Sequence, residues 1–343
     1  MSDDPRRNKV GRPRIEDVAQ RAGTSAITVS RTLRQPTKVS PETRRRVLLA
    51  VEQLGYIPDL AASGLASRRT GFVAVLVPTI ANPVFAETVQ GIAETVQQEG
   101  LQILLGDYGY SGTQERDLLV ALAGRRPDAV ICIGLVQEEA PRSVLRGLGV
   151  PVVESWELTS DPLDIVVGFS NERAGAAMAR HMIAGGCRNL AFVGCADARA
   201  AARATGFRTA AARAGLSVSV ISLTTMSSLT AGTLGLSRLL AEAPEADAAF
   251  FADDLLAAGA LLECQRRGVA VPGRLALGGL GNMEIAAALV PGITTIDVGA
   301  REIGRRAAAS VLARLHGRSD EPPQQDLGFA ILVRGSTRPT PSA

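Results

Sequence analysis

Residues 15–58 read IEDVAQRAGTSAITVSRTLRQPTKVSPETRRRVLLAVEQLGYIP, and the stretch carries its own punctuation. A first amphipathic run ends at Gly23. Thr24 and Ser25 then offer hydroxyl caps for a second helix reaching about Leu33. Gln35-Pro36 opens a loop, and Ser40-Pro41-Glu42-Thr43 starts a third helix with a capping serine and a proline at the first helical position, where a missing N–H costs nothing. Gly55 ends that helix. Ile15, Val18, Ala19, Ala22, Val29, Leu33, Val47, Leu48, Val51 and Leu54 recur at helical spacing and are expected to form a three-helix core. A short helix, a tight turn at Ala22-Gly23-Thr24 and a second helix make the corner whose second member can enter a DNA major groove.

Charge supports that reading. The chain of 343 residues has a net charge of +3, but residues 1–70 hold 14 Lys or Arg against 7 Asp or Glu, net +7, leaving 23 against 27, net −4, for the rest. A basic module gains affinity for any duplex by releasing condensed counterions, and the acidic remainder has no such gain. Residues 1–12 (MSDDPRRNKVGR) are expected to be a flexible basic tail preceding a DNA-binding domain at 13–57.

Beyond a connector at 58–70 the period changes to apolar strands alternating with helices. Expected strands are Phe72–Val77, Leu101–Asp107, Ala129–Leu135, Val152–Trp156, Ile165–Phe169, Leu190–Gly194, Val218–Leu223, Ala248–Ala252 and Leu275–Leu280, with one more in the terminal QQDLGFAILVRGST after a helix at Arg301–His316. Strands apolar on both faces belong in parallel sheets covered by helices. About ten of them overfill one sheet, so 71–343 is expected to be two doubly wound α/β subdomains. The first takes about 71–169 and 299–327, the second about 170–298 and 328–343. Ligands of such sheets bind at the carboxyl ends of the strands, here in a cleft between the two.

Several chemistries are excluded. Cys132, Cys187, Cys195 and Cys264 show no C-x-x-C spacing, and with only His181 and His316 beside them no metal site or nucleophile–base pair can be assembled. No G-x-G-x-x-G or P-loop opens a helix after a strand, so neither enzyme activity nor a cofactor is expected. The N-terminus has no apolar signal core and no stretch has the length of a membrane span, which predicts a cytoplasmic protein and argues against a periplasmic solute-binding protein, the alternative that the core alone would allow.

From Pro13 onward the chain resembles the lactose-repressor family of bacterial transcription regulators. The resemblance rests on DVA at Asp17–Ala19, AGTSAITVSR at Ala22–Arg31, VSPETR at Val39–Arg44 and LGYIPD at Leu54–Asp59. It implies a sequence-specific regulator that binds palindromic double-stranded operator DNA as a homodimer. The family's base-reading positions fall on Ala26 and Ile27, suited to thymine methyls, and on Arg31, suited to a bidentate contact with guanine. Its phosphate-contacting positions fall on Ser25, Thr28, Ser30 and Thr43, with Tyr56 nearby; Ser25 and Thr28 can equally serve as helix caps. Residues 58–67 resemble the family's hinge helix, placing Ala62 and Leu65 at the minor groove.

The resemblance also implies a periplasmic-binding-protein-like core that holds a small effector. Arg203 matches an effector-binding arginine, Asp254 a cleft position that could otherwise be a helix cap, and Phe85 and Trp156, the only tryptophan, positions where rings stack on sugar faces. Family members usually show GFDD where this chain reads Gly279-Leu280-Gly281-Asn282. The loss of carboxylate there favours an anionic ligand, with Asn282 in its place. NPVFAE, DYGYSGTQE, LDIVVGFSN and the terminal DLGF look like the gluconate-utilisation repressor branch, so the expected effector is gluconate or a related sugar acid, releasing a repressor. A neutral or phosphorylated sugar acting as co-repressor is the alternative.

Overall fold

The computed structural model describes residues 13–57, 70–109, 112–318 and 320–338. They fall into two units that divide between Thr70 and Gly71.

The N-terminal unit is three helices, α1 (Ile15–Ala22), α2 (Ala26–Arg34) and α3 (Pro41–Leu54), with a single 3-10 turn at Pro36–Lys38. Gly23 closes α1 in the left-handed conformation (φ 60°, ψ 46°), which glycine adopts without a Cβ penalty. The Ser25 hydroxyl accepts from the Thr28 N–H at 3.2 Å and starts α2, and Ser40 caps α3 in the same way, accepting from the Thr43 N–H at 3.3 Å. Val18, Val29 and Val47 are fully buried, with Ala19, Ala22 and Ala50 around them and Ile15, Leu33, Val51, Leu54 and Tyr56 at the rim. One expected core residue faces out. Leu48 is 44% exposed and Ala50 is buried instead, because α3 turns the small residue rather than the large one toward α1.

The second unit carries two six-stranded sheets. In the first, β1 (Phe72–Val77), β2 (Gln102–Asp107), β3 (Ala129–Ile133), β4 (Val152–Ser155), β5 (Ile165–Gly168) and β11 (Gln324–Asp326) lie in the order β2-β1-β3-β4-β5-β11, all parallel. In the second, β6 (Leu190–Cys195), β7 (Val218–Leu223), β8 (Ala248–Phe251), β9 (Ala276–Leu280), β10 (Thr294–Asp297) and β12 (Ala330–Leu332) lie in the order β7-β6-β8-β9-β10-β12, with β12 alone antiparallel. Every residue of β3, β4, β5, β8 and β9 is buried, as sheets covered on both faces require.

The helices follow the strands: α4 (Pro83–Gln97), α5 (Gly112–Ala123), α6 (Glu139–Leu148), α7 (Asn171–Ala184), α8 (Ala198–Arg213), α9 (Leu229–Glu242), α10 (Asp254–Arg267), α11 (Glu284–Ala288) and α12 (Ala300–Leu315). The chain crosses between the sheets three times, after Gly168, after Asp297 and after Asp326, and α12 returns to pack on α4 and over β3, β4 and β5.

Two details depart from the sequence expectation. The terminal segment is two three-residue strands, β11 and β12, one in each sheet, rather than one strand crossing between them. The strand β10 is not among the expected strands: TTID is only four residues long and, with Thr294, Thr295 and Ile296 all buried, shows no alternation of polar and apolar positions. Thr294 and Thr295 are fully buried, with their hydroxyls hydrogen-bonded to Arg334 O and Thr337 and to the Asp254 carboxylate, so the polar atoms cost little.

Candidate functional site: a recognition helix and a ligand cleft

Helix α2 sorts its residues by face. Val29 and Thr32 point into the three-helix core, and the Thr32 hydroxyl donates to the Thr28 carbonyl at 2.8 Å. The opposite face presents Ile27, 71% exposed, and Arg31, one turn along at i+4 and also exposed. Ala26, Thr28 and Ser30 are half-buried, and Ser25 is exposed at the helix start, its hydroxyl 3.0 Å from that of Thr28. Thr43 is half-buried beside the exposed Ser40 cap, its own hydroxyl accepting from Ser40 at 2.9 Å, and Tyr56 is half-buried after α3. The geometry therefore presents one guanidinium and one isoleucine on an outward helix face, flanked by hydroxyls suited to phosphate. Ala62 and Leu65 lie outside the described residues.

In the second unit, a cavity of about 180 Å³ opens at the carboxyl ends of the strands. From the first sheet come Asn82, Val84 and Phe85 after β1 and Trp156 after β4. From the second come Asp197, Arg199 and Arg203 after β6, Thr224 to Ser227 after β7, Asp253 after β8 and Leu280 at the end of β9. Phe85 and Trp156 meet edge to face with centroids 5.2 Å apart, and the Arg199 guanidinium lies 5.1 Å over the Phe85 ring. Phe85, Trp156 and Arg203, predicted separately from sequence, are thus brought to one wall-and-floor arrangement.

Asp254 and Asn282 are not among the lining residues. Of the adjacent pair it is Asp253 that lines the wall, capping α10 by accepting from the Leu256 N–H at 3.0 Å. Asp254, one residue on, turns inward: its carboxylate accepts from the Met283 N–H at 2.8 Å and from the Thr295 hydroxyl at 2.6 Å. Asn282, in the left-handed region at φ 52°, donates to Asp297 at 3.2 Å and accepts from Arg334 at 2.7 Å. Its side chain braces the end of β9. Sequence reading missed Asp197, Arg199, Asp253 and the Thr224–Ser227 run; the available signal was that Asp197 and Asp253 each sit between an apolar strand and a helix.

Burial shapes the electrostatics. Desolvation pushes the Asp253 carboxyl up, opposed by the Ser227 hydroxyl, the Leu256 N–H and the Arg203 cation. It also weighs against the Arg203 charge, which Asp197, Asp253 and Glu157 support and Arg199 opposes. Arg203 is 6% exposed. Its Nη1 donates to Asn171 Oδ1 at 2.5 Å, while its buried Nε has no hydrogen-bond partner among the described residues. A buried cationic N–H left unpaired is costly. Cys195 also lines the cavity, but burial pushes its thiol up to about 12, so it stays protonated. Among the described residues no group of three or more metal-binding side chains occurs.

Comparison with known proteins agrees with both halves. Residues 14–59 match the profile of bacterial regulatory proteins of the lacI family, and residues 179–337 that of the periplasmic binding protein-like domain. The HTH-type transcriptional regulator GntR of Pseudomonas aeruginosa is 38% identical over 330 residues, 95% of this chain and 96% of its own. The chain belongs to the lacI family. GntR of Escherichia coli K12 is 34% identical over 96% of the chain and 99% of its own length. Among solved structures, a LacI-family transcriptional regulator from Silicibacter pomeroyi superposes with a TM-score of 0.88 at 34% identity, covering 94% of this chain and 99% of that one. As a lacI-family member the chain is a DNA-binding transcriptional regulator with a ligand-binding core, and its relatives are regulators rather than enzymes. No helix of the described residues is long and apolar enough to cross a membrane.

Proposed function

We propose that this regulator is a repressor of sugar-acid catabolic genes, acting in the cytoplasm as a homodimer on a palindromic operator and released when a gluconate-like acid enters the cleft. The observation that carries the reading is Arg203, a buried cation that lines a cavity also walled by aromatic rings and whose Nε–H has no hydrogen-bond partner among the described residues. The ligand carboxylate takes the Arg203 guanidinium. Its hydroxyls take the second oxygens of Asp197 and Asp253, whose first oxygens are held by the helix N–H groups of Ala200 and Leu256. Its carbon chain lies along Phe85 and Trp156. A two-fold dimer presents two recognition helices to two half-sites, which accounts for palindromic operator binding.

The test is an operator titration by fluorescence anisotropy, with the protein's own upstream region, in the presence of gluconate, a ketogluconate, a phosphogluconate, glucose and a pentose. A sugar acid is expected to bind and release the operator. Binding of the neutral sugars without the acids would refute the assignment.

A further inference from the structure

Arg203 does not stand alone in the floor of the cavity. Its partner Asn171 is the first residue of α7, 5% exposed, and uses both ends of its amide: Oδ1 accepts from Arg203 Nη1, and Nδ2 donates to the carbonyl of Trp156 at 3.1 Å. Asn171 and Arg203 belong to the second sheet's helices, whereas Trp156 follows β4 of the first. One side chain therefore joins the candidate anion-binding cation to the opposite subdomain.

From Trp156 the chain of bonds continues. Trp156 is held in the left-handed region at φ 72°, which non-glycine residues rarely adopt, by its N–H to Val167 O at 3.1 Å and by its indole N–H to Thr88 Oγ1 at 3.0 Å. The Thr88 hydroxyl donates in turn to Ala300 O at 3.0 Å, at the start of α12 immediately after the second crossover. Asn171 itself sits at the end of the first crossover. The third is reached through Phe169, whose ring meets Trp156 at 6.0 Å and Phe329 at 6.5 Å. Nor can α8 carry Arg203 away from Asn171 without disturbing α7. A Cβ at Gly175 would collide with the Arg203 carbonyl, and one at Gly206 with the Glu172 carbonyl, so the two helices touch backbone to backbone at this level.

We propose that Asn171 is the positioning residue of the cleft: its amide aims the Arg203 guanidinium at the ligand and ties that guanidinium, through the Trp156 carbonyl, to the crossovers that join the two sheets. The inference rests on the reading of the cavity as an anion-binding effector site. Losing Asn171 leaves Arg203 without its acceptor and cuts the link to Trp156; losing Thr88 cuts the link further along and leaves Arg203 untouched. The two changes are separable.

Trp156 is the only tryptophan, so its emission reports this chain of bonds directly. The experiment compares wild type, Asn171→Ala, Asn171→Asp and Thr88→Val in the full-length protein, reading Trp156 emission, affinity for gluconate, a ketogluconate and a phosphogluconate, and operator release relative to each variant's own ligand-free operator affinity. Asn171→Ala is expected to shift the ligand-free Trp156 emission and to weaken the acid that binds wild type by at least about tenfold, the scale of a charge-assisted hydrogen bond. Asn171→Asp, which pairs Arg203 internally with a carboxylate, is expected to weaken that acid further. Thr88→Val is expected to keep acid affinity within about threefold while operator release at saturation falls, since only the link beyond the ligand is cut. Unchanged emission and acid affinity in Asn171→Ala and Asn171→Asp overturns the proposal, as does full operator release in Thr88→Val. If no acid binds wild type, the sugar-acid reading fails, and unchanged ligand-free emission in Asn171→Ala and Asn171→Asp then overturns the positioning role on its own. Should Asn171→Ala fail to fold, Asn171→Asp and Thr88→Val decide the matter.

Discussion

Replacing Asp254 by asparagine isolates a pH-dependent cost built into the floor of the second subdomain. Burial is the main cause that pushes this carboxyl up from 3.8 to about 7; Asp253 adds to it, while Thr295, Met283 and Arg334 oppose it. A carboxyl whose folded pKa lies above its unfolded value favours folding most below the unfolded pKa, and that contribution is lost as pH rises toward the folded value. About three pKa units correspond to about 4 kcal/mol of lost stability once pH exceeds the folded value. About half of that, ~2 kcal/mol, falls between about pH 5.5 and pH 8. Asparagine is isosteric and neutral, and it keeps both partners, its oxygen accepting from Met283 N–H and its amide donating to a rotated Thr295 hydroxyl. Glu115, Glu154 and Glu157, whose carboxyls burial also pushes up, titrate in both proteins, so their slopes cancel in the difference, while the coupling of Asp253 to Asp254 belongs to the cost being measured. Urea unfolding followed by Trp156 emission reads the second unit alone, since that unit holds the only tryptophan. Asp254→Asn is expected to gain about 2 kcal/mol on wild type between about pH 5.5 and pH 8. Parallel pH profiles of the two proteins would falsify the burial argument.

Two further perturbations address the recognition helix and the helix pair behind Arg203. Arg31→Ala is expected to cost about 1–3 kcal/mol of operator affinity while barely altering binding to a scrambled duplex, because a base contact is lost and at most one phosphate contact. Anisotropy titrations on both duplexes decide it, and equal losses on the two would place Arg31 on the backbone instead. Gly206→Ala forces a Cβ into the Glu172 carbonyl and should destabilise the second unit by about 1–3 kcal/mol or more, with loss of acid affinity as Arg203 is displaced. Gly147→Ala, in α6 with open space around its Cβ position, should instead be neutral or stabilising by up to about 1 kcal/mol, and a melt in which both variants behave alike would sink the close-packing argument.

The N-terminal module was almost fully legible because its boundaries are written in capping chemistry: Gly23, Ser25, Ser40 and Gly55 end or begin helices where the sequence places them. What slipped was helix phase. Leu48 and Ala50 lie two residues apart on α3, and hydrophobicity alone favours the leucine, whereas the close approach of α1 needs the alanine. In the second unit the nine apolar strands were legible to within a residue or two. Strands held by buried threonines or only three residues long left no periodicity to find.

The cleft was harder for a physical reason. In a doubly wound sheet several ligand-facing positions are also helix starts, so some of the residues that line the cleft are residues that cap helices. Asp197 and Asp253 each cap a helix with one carboxylate oxygen on a backbone N–H while also lining the cavity. Capping and binding are then the same side chain, and a shift of one residue in where α10 begins decides whether Asp253 or Asp254 faces the ligand. Asn171 shows the same ambiguity one step further in. As the first residue of α7, capped by Ser170, it reads in sequence as ordinary helix chemistry. Only the proximity of Arg203 on one side and the Trp156 carbonyl on the other gives its amide a role that no local pattern encodes, since its two partners lie 32 and 15 residues away on different elements.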